Sequence, residues 1–495
     1  MLMKINFNTD TMRDRVYACW LGKNIGGTMG TPFEGKQDIL DIKGFTSEPG
    51  KPLPNDDLDL QLVWLKALSE VGPQALDAKV LGEYWLSYIG PPWNEYGVCK
   101  ANMRLGIVPP MSGELFNEEW KHSNGAWIRT EVWACTYPAL PEKAIRFAFE
   151  DACVDHGFGE GTFAAIFVAA MQSAAFAVDD LDKLIEIGLS KIPEDSRVAR
   201  SVKLVLDCYD KGMNWQDTRN KVVEDSSDLG WFQAPANVAF VILGLKYGEC
   251  DFKKSMILAI NCGDDTDCTG ATLGALLGIM YGTKAIPQDW KAYIGDDIIT
   301  ISIITGNARF PKSCSELTDD IMDMLPVTTY AGFGRPSELS AASGKLARVT
   351  VSEQPDLIED FNPDSFLGRG FVDSIKCRAQ YSFTEENEYV TALIEFDKAP
   401  IIAAGGAINV KITLTNRRCI DYKSFLCEWI LPEGFAATGN AVSRVNWRGK
   451  DKENHDQSLF TITAPEQMMP VNNLILRISS PGRSKPLLVP IVLLS

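Results

Sequence analysis

Histidine is scarce in this chain, which contains only His122, His156 and His455 among its 495 residues. Zinc sites usually combine histidine and cysteine ligands, and none of the 12 cysteines here forms a Cys-x-x-Cys pair. A zinc site of the usual kind is therefore not expected. The scattered cysteines indicate reduced thiols and a cytoplasmic protein rather than a disulfide framework.

Long apolar runs and an excess of basic charge are also missing. No run of about 18 apolar residues is present, so we expect no membrane span. Residues 1–15 contain neither an apolar h-region nor a small-residue cleavage site, so we expect no signal peptide. The 65 acidic residues outnumber the 48 basic ones and give a net charge of −17, which disfavours nucleic acids and anionic membranes as partners. A metal cation is compatible with this charge.

The first two thirds of the chain carry helical patterns. Residues from about 11 to 325 predict one helix after another, and no short strands alternate with them. The run EGTFAAIFVAAMQSAAFAV (160–178) is rich in alanine and apolar on all sides, which is typical of a central, buried helix. These patterns predict an all-α domain over residues 1–326.

The pattern changes to period two in the last third. A stretch with glycine, serine and proline at 327–345 is predicted to be a linker. Beyond it, AINVKITLTN (407–416) alternates apolar and polar residues, and several similar segments follow, separated by turn residues. We therefore predict a β-sandwich of immunoglobulin-like type over 346–495, as an accessory domain.

Three aspartates lie close together in NCGDDTDCTG (261–270): Asp264, Asp265 and Asp267. One carboxylate could cap the helix predicted to follow. That helix is rich in glycine and alanine, which permits close packing, and several carboxylates at a buried helix end repel one another and lose solvation. A bound cation is the simplest way to relieve both costs.

A second acidic cluster, Asn55, Asp56 and Asp57, precedes another amphipathic helix. Together with Glu34, the two clusters would supply five carboxylates, from Glu34, Asp56, Asp57, Asp265 and Asp267. Oxygen ligands select hard cations, so we predict two Mg²⁺ ions, with Mn²⁺ or Ca²⁺ as alternatives.

Four motifs, spread over residues 11 to 310, resemble those of the ADP-ribosylglycohydrolase family in the same order. They are DRVYACWLGKNIGGTMGTPFEG (14–35), NDDLDLQ (55–61), NGAWIR (124–129) and GDDTDCTGATLGALLG (263–278). The family includes the dinitrogenase-reductase-activating glycohydrolase and ADP-ribosyl-acceptor hydrolases. The resemblance implies an all-α fold with two Mg²⁺ ions, which bind the ribose diol of an ADP-ribosyl group and position a water for cleavage at the anomeric carbon.

The resemblance also implies roles for individual residues. The implied metal ligands are Asn55, Asp56, Asp57, Asp265, Asp267 and Cys268, the last at the place of a ligating threonine. The implied catalytic residues are Glu34, which matches the glutamate that ends the first motif, and Asp57. The implied substrate-binding residues are Asn124, Gly125, His156 and Gly157. From the sequence alone, Glu34 could equally be an exposed loop residue and His156 a structural one.

Four positions depart from the family pattern: Gly27 replaces an aspartate, Asn55 and Cys268 replace threonines, and Asp264 replaces a glycine. The softer sulfur of Cys268 does not suit Mg²⁺, so one strong and one weaker metal site is an open alternative.

Three functions follow as hypotheses. The first is a Mg²⁺-dependent hydrolase that acts on a small-molecule or protein-linked ADP-ribosyl group or a related ribosyl linkage. The second is a non-catalytic binder of ADP-ribose or a sugar, and the third is a hydrolase of another N- or O-glycoside. The leaving group, the role of the β-domain and assembly into a homo-oligomer are left open.

Overall fold

The computed structural model describes residues 3–6, 9–329, 357–417, 423–445 and 455–495. The chain forms two compact units: a helical unit, Met1–Gly97 with Asn117–Lys376, and a sheet unit, Val98–Phe116 with Cys377–Ser495. The sheet unit thus includes a short segment from within the helical stretch. Of the linker predicted at 327–345, the part from 330 onward lies outside the described residues.

The helices of the chain are numbered in order. They are α1 Thr9–Gly30, α2 Asp56–Val71, α3 Ala78–Tyr88, α4 Asn94–Arg104, α5 Met111–Glu114, α6 Glu131–Thr136, α7 Pro141–His156, α8 Glu160–Ala174, α9 Leu181–Ser190, α10 Arg197–Asp210, α11 Trp215–Asp225, α12 Ala234–Tyr247, α13 Phe252–Asn261, α14 Thr266–Tyr281, α15 Gln288–Ile294, α16 Cys314–Thr328 and α17 Gly370–Lys376. No helix in the described ranges is long and apolar enough to cross a membrane.

The centre of the helical unit is a glycine-lined contact between α1 and α14. A Cβ atom on Gly26 would lie 2.1 Å from the carbonyl oxygen of Gly270, and one on Gly22 would lie 2.2 Å from that of Gly274. Only hydrogen fits at these positions, so the two backbones approach directly. The alanine-rich run forms α8, in which every residue except Phe163 is buried, as its composition predicts.

The strands are β1 Met3–Asn6, β2 Leu357–Phe361, β3 Ser382–Glu386, β4 Val390–Phe396, β5 Ala407–Asn416, β6 Lys423–Ile430, β7 Ala436–Gly439, β8 Val442–Val445, β9 His455–Thr463, β10 Val471–Ser479 and β11 Leu487–Leu494. Strands β1 and β2 form an antiparallel pair in the helical unit. The sheet unit contains a four-stranded sheet, ordered β11-β10-β6-β8, and a five-stranded sheet, ordered β3-β4-β5-β9-β7.

The alternating pattern of β5 explains the core of the sheet unit. Its apolar side chains, Ile408, Val410, Ile412 and Leu414, are buried, and the residues between them are more exposed. They join one apolar cluster with Leu474 of β10 and residues from the other strands of both sheets. All described strand pairs of the unit are antiparallel, so a C-terminal region of antiparallel sheets is confirmed, whereas its immunoglobulin-like sandwich type stays a prediction.

Candidate metal centre

Helix α14 begins without a side-chain cap, which leaves the carboxylate of Asp265 available. Other helices of the chain begin at an Asn, Asp or Ser whose side chain accepts a backbone N–H, for example Asp251 for α13 and Asn214 for α11. Asp265 occupies the corresponding position of α14, yet its side chain makes no such bond. Its backbone N–H is instead accepted by Asn237 Oδ1 at 3.1 Å. Capping therefore does not account for this aspartate.

The backbone conformation of Asp264 directs its side chain away from the side chains of Asp265 and Asp267. Its φ of 59° lies in the left-handed region, and its N–H and carbonyl pair with Lys36 O at 2.8 Å and Gly35 N at 2.9 Å. Its carboxylate faces Arg219, with an N–O distance of 3.7 Å. Asp264 is thus directed to a structural ion pair, while Asp265 and Asp267 stay together.

At the start of α2, Asn55 supplies the cap and Asp57 is buried. Asn55 Oδ1 accepts the N–H of Asp57 at 2.7 Å. Asp56 is half-buried, and its Oδ2 accepts the hydroxyl of Tyr96 at 2.9 Å. A Cβ atom on Gly27 would lie 2.4 Å from Asn55 Nδ2, so the departures from the family pattern at 27 and 55 are spatial neighbours. An aspartate at 27 would clash with this asparagine.

Two groups of ligand atoms meet at Asp267. The outer group consists of Glu34, Asp265 and Asp267, and the inner group consists of Asp57, Asp267 and Cys268; within each group one ligand atom per residue lies within 4.8 Å of the others. Glu34 is exposed, whereas the other four residues are buried. The structure thus brings two distant acidic motifs and the first motif to one place.

The electrostatics of this centre fit a divalent cation. Burial raises the pKa of Asp265 to about 7, and it raises the pKa values of Asp57 and Asp267 well above their usual range, with neighbouring carboxylates adding to the effect. The buried oxygens Asp57 Oδ2, Asp265 Oδ1 and Asp267 Oδ1 have no hydrogen-bond donor among the described residues. Oxygen atoms of this kind are the ligands that hard divalent cations take.

Cys268 makes the inner group chemically different from the outer one. Its Sγ lies 3.7 Å from Asp57 Oδ1, and burial raises the pKa of the thiol well above its usual value, with the nearby Asp265 and Asp57 adding to the effect. A neutral thiol is a poor ligand for Mg²⁺. The three carboxylates of the outer group therefore fit a hard cation better than the inner group does.

Two of the predicted substrate residues, Asn124 and Gly125, adjoin the centre. Asn124 Nδ2 donates to Asp265 Oδ2 at 2.6 Å, and its own Oδ1 accepts Trp127 Nε1 at 2.9 Å. A Cβ atom on Gly125 would lie 2.2 Å from Glu95 Oε1, so any larger residue there would displace the Glu95 side chain. The structure thus gives Asn124 a contact with a candidate metal ligand and Gly125 a packing constraint.

His156 and Gly157 lie outside both ligand groups. The buried His156 ring has Nδ1 at 2.9 Å from Asp155 Oδ1 and Nε2 at 3.1 Å from Ser123 Oγ. Gly157 ends α7 with a φ of 51°. Glu95 Oε1 lies 4.0 Å from His156 Nε2, and burial raises the pKa of Glu95 to about 7, against the opposing charge of His156. His156 thus contacts Ser123, and Glu95 lies against Gly125, so these polar groups adjoin the two sequence neighbours of Asn124.

Lys23 is a residue of the centre that the motifs did not identify. It is buried, and its Nζ lies 2.6 Å from Ile128 O, 3.2 Å from Glu131 Oε2 and 3.8 Å from Asp57 Oδ2. The signal for it was a lysine at helical spacing from Val16 and Trp20, on the apolar face of α1. A lysine at such a position must be paired, because an unpaired buried charge is very costly.

A cavity of about 330 Å³ lies close to the first motif, and its lining includes Trp120, Trp231 and Phe232. A Cβ atom on Gly35 would be 3.7 Å from the Trp231 ring, so this wall of the cavity stands next to Glu34. Aromatic faces of this kind can stack a planar base.

Comparisons with known proteins identify the family of this chain. The family model of the ADP-ribosylglycohydrolases matches residues 8–351. A solved structure described as an ADP-ribosylglycohydrolase-related protein complex aligns with 64% of this chain and 99% of its own, at 19% identity and a TM-score of 0.45. A comparison with curated protein sequences gives no match. Because the family model covers well over half of its length, this chain belongs to the ADP-ribosylglycohydrolase family.

Proposed function

We propose that this protein is a Mg²⁺-dependent hydrolase that cleaves the glycosidic bond at the ribose of a small-molecule or protein-linked ADP-ribosyl group. The observation that carries the proposal is the set of buried carboxylate oxygens on Asp57, Asp265 and Asp267 that have no donor in the described part of the chain, in a member of the ADP-ribosylglycohydrolase family. The proposed ligands are those carboxylates with Asp56, Asn55 and Cys268. Two Mg²⁺ ions are proposed, with Mn²⁺ as the alternative.

Different residues of the chain would serve in metal binding, in proton transfer and in substrate binding. When bound, the cations would orient the ribose diol and lower the pKa of a water. Glu34 is the exposed carboxylate of the outer group, so it can reach the anomeric carbon as general base or stabilise positive charge there. Asn124 holds Asp265 in one orientation, and the aromatic cavity beside Gly35 would receive a base or the leaving group. Asp57, also predicted as catalytic, is proposed to act as a ligand.

The same proposal includes the domain bounds, the remaining substrate residues, the location of the protein and its partners. Residues 1–326 would form the catalytic domain, 327–345 a linker and 346–495 an immunoglobulin-like accessory domain. His156, whose Nε2 lies 3.1 Å from Ser123 Oγ, and Gly157 are proposed as substrate-binding residues together with Asn124 and Gly125. We propose a cytoplasmic location and no nucleic-acid or membrane partner.

A second candidate function is a non-catalytic ADP-ribose binder. The observation that favours it is the inner group, where a neutral thiol takes the place of an oxygen ligand. Such a protein would bind ADP-ribose with one metal site filled and would not turn over. A hydrolase of another N- or O-glycoside is the third possibility for the same site.

The test is release of ADP-ribose from a panel of arginine-linked, serine-linked and free ADP-ribosyl compounds, with and without Mg²⁺. Asp267→Asn removes the carboxylate shared by both groups and is expected to lower release by a factor of 100 or more. Asp264→Asn is the matched control, because its carboxylate faces Arg219 and its left-handed backbone suits asparagine.

Release that needs Mg²⁺, is lost in Asp267→Asn and persists in Asp264→Asn supports the proposal. Binding of ADP-ribose and metal without release favours the binder. If the protein neither binds nor releases ADP-ribose, the ADP-ribosyl hydrolase and the ADP-ribose binder are both contradicted, and another glycoside is the substrate to find.

A further inference from the structure

A buried ammonium group stands at the inner side of the metal centre. Lys23 extends from α1, and its Nζ is 3.8 Å from Asp57 Oδ2, the same oxygen that lacks a hydrogen-bond donor among the described residues. Both side chains are only 1% exposed. Water therefore screens this charge little, and its field acts on the inner group at short range.

The ammonium is fixed in this place. Lys23 Nζ donates to Ile128 O at 2.6 Å and pairs with Glu131 Oε2 at 3.2 Å. Glu131 is itself held by Gln61 Nε2 at 2.9 Å and Gln172 Nε2 at 2.8 Å. The ammonium is thus held by Ile128 O and Glu131 beside the inner group, on a helix that packs backbone to backbone on α14.

The two ligand groups consequently differ in charge. The outer group has three carboxylates, and no lysine or arginine in the described part of the chain forms an ion pair with Glu34, Asp265 or Asp267. The inner group has two carboxylates, one of them shared, with a neutral thiol and an ammonium beside them. A second divalent ion there would meet fewer negative charges and the repulsion of Lys23.

We propose that Lys23 is a positioning residue that makes the two ligand groups unequal in metal affinity. Its ammonium supplies part of the positive charge that a second cation in the inner group would otherwise supply. The outer group then binds one divalent ion tightly, and the inner group binds a second ion at least tenfold more weakly. This inference rests on the metal dependence in the proposed function, but it concerns which site fills and why.

The experiment is a titration of the metal-free full chain with Mn²⁺, followed by electron paramagnetic resonance and calorimetry. The wild type is expected to show one tight ion, with an uncoupled six-line spectrum, and a second ion bound at least tenfold more weakly. Lys23→Met is expected to tighten the second ion by a factor of ten or more, about 1.4 kcal/mol, and to produce a spin-coupled pair.

Two further variants separate the causes. Lys23→Met alone leaves the Glu131 carboxylate without its ion pair in the interior. The double variant Lys23→Met/Glu131→Gln is expected to keep the fold, but it removes one positive and one negative charge together, so it is expected to tighten the second ion less than Lys23→Met does. Cys268→Thr retains the ammonium and restores an oxygen ligand, and it is also expected to tighten the second ion less than Lys23→Met does.

Two equal Mn²⁺ sites in the wild type would overturn the inference, as would an unchanged second site in folded Lys23→Met. Equal sites in Cys268→Thr would assign the inequality to the thiol and overturn it too, and this measurement decides the case if Lys23→Met does not fold. No Mn²⁺ binding at all would overturn the proposed function together with the inference, whereas two equal sites would leave the proposed function intact.

Discussion

Asn124 and Asp265 are 141 positions apart in the chain, yet Asn124 Nδ2 donates to Asp265 Oδ2 at 2.6 Å in the buried part of the centre. Trp127 Nε1 holds the oxygen of the same amide at 2.9 Å, which fixes its orientation. Asp265 therefore has one oxygen held by an amide donor and one, Oδ1, without a donor among the described residues. This division presents a single oxygen to a cation.

The first prediction tests this orientation. Asn124→Asp keeps the acceptor for Trp127 but removes the donor to Asp265 and places a fourth carboxylate beside the outer group. We expect Mn²⁺ affinity to fall by about tenfold or more, because Asp265 loses its fixed rotamer, and activity to fall with it. Calorimetric titration of the metal-free chain measures the change.

Asn214→Asp is the matched control. It makes the same chemical change at the exposed cap of α11, where Asn214 accepts the N–H of Asp217 at 2.8 Å. Both aspartate and asparagine serve as caps, so metal affinity should stay as in the wild type. Unchanged metal affinity in Asn124→Asp would mean that the amide does not orient Asp265.

The second prediction concerns Glu34, the exposed member of the outer group. If Glu34 acts on the reacting sugar, Glu34→Gln should lower kcat by a factor of 100 or more and change Mn²⁺ affinity by no more than about threefold. The reason is that the amide cannot accept a proton, whereas the aspartates that hold the metal are unchanged. Single-turnover rates and metal titrations on the same preparation separate the two effects.

A loss of metal affinity in parallel with the rate would assign Glu34 to the metal instead. Lys36→Gln, on the same exposed loop, is the matched control and should leave both quantities unchanged.

The sequence drew attention to Asp57, Asp265 and Asp267 because aspartates in two helix-opening motifs are dense enough to be noticed. It could not show that Asp264 turns to Arg219, since that depends on a left-handed backbone and on a partner far along the chain. Nor could it show that Asp265 leaves its helix uncapped. Local patterns predict where carboxylates are, and tertiary packing decides which of them remain available.

The same limit applies to Lys23. Its position among apolar residues on α1 was visible, but its partners Ile128 and Glu131 are more than a hundred residues away. The glycines of α14 were easier to interpret, because small residues at helical spacing predict close contact, and the structure places Gly270 and Gly274 against α1. Residue size constrains packing directly, whereas a buried charge has many candidate partners.

The third prediction concerns pH and stability. Burial raises the pKa of Glu95 from its ordinary value of 4.5 to about 7, so the folded chain retains this proton where the unfolded chain has lost it. The contribution of Glu95 to the free energy of unfolding is therefore present at low pH and is lost as pH rises from about 4.5 to 7. Glu95→Gln should remove that slope, and its stability relative to the wild type should rise by up to about 3 kcal/mol across the window.

Urea denaturation of the metal-free proteins between pH 4.5 and 8, analysed as variant minus wild type, measures this slope. Glu83→Gln makes the same change at an exposed position of α3 and should give no slope. A difference curve for Glu95→Gln that is flat with pH would show that Glu95 titrates normally in the folded chain.

The fourth prediction concerns the α1–α14 contact as the support of the metal centre. Gly26→Ala places a Cβ atom 2.1 Å from the backbone of Gly270, and since backbone cannot yield as a flexible side chain can, the helices must separate. A Cβ atom on Gly30, one turn further, would already lie 2.4 Å from Asp267, so separation would displace this shared ligand. We expect a loss of about 3 kcal/mol or more in stability and at least tenfold weaker Mn²⁺ binding. The control is Gly370→Ala in α17, where a Cβ atom has nothing within 4 Å; it should leave metal binding unchanged and gain up to about 1 kcal/mol from helix propensity. A Gly26→Ala protein that is as stable as the wild type and binds Mn²⁺ equally well would show that the closeness of these helices is not needed for the centre.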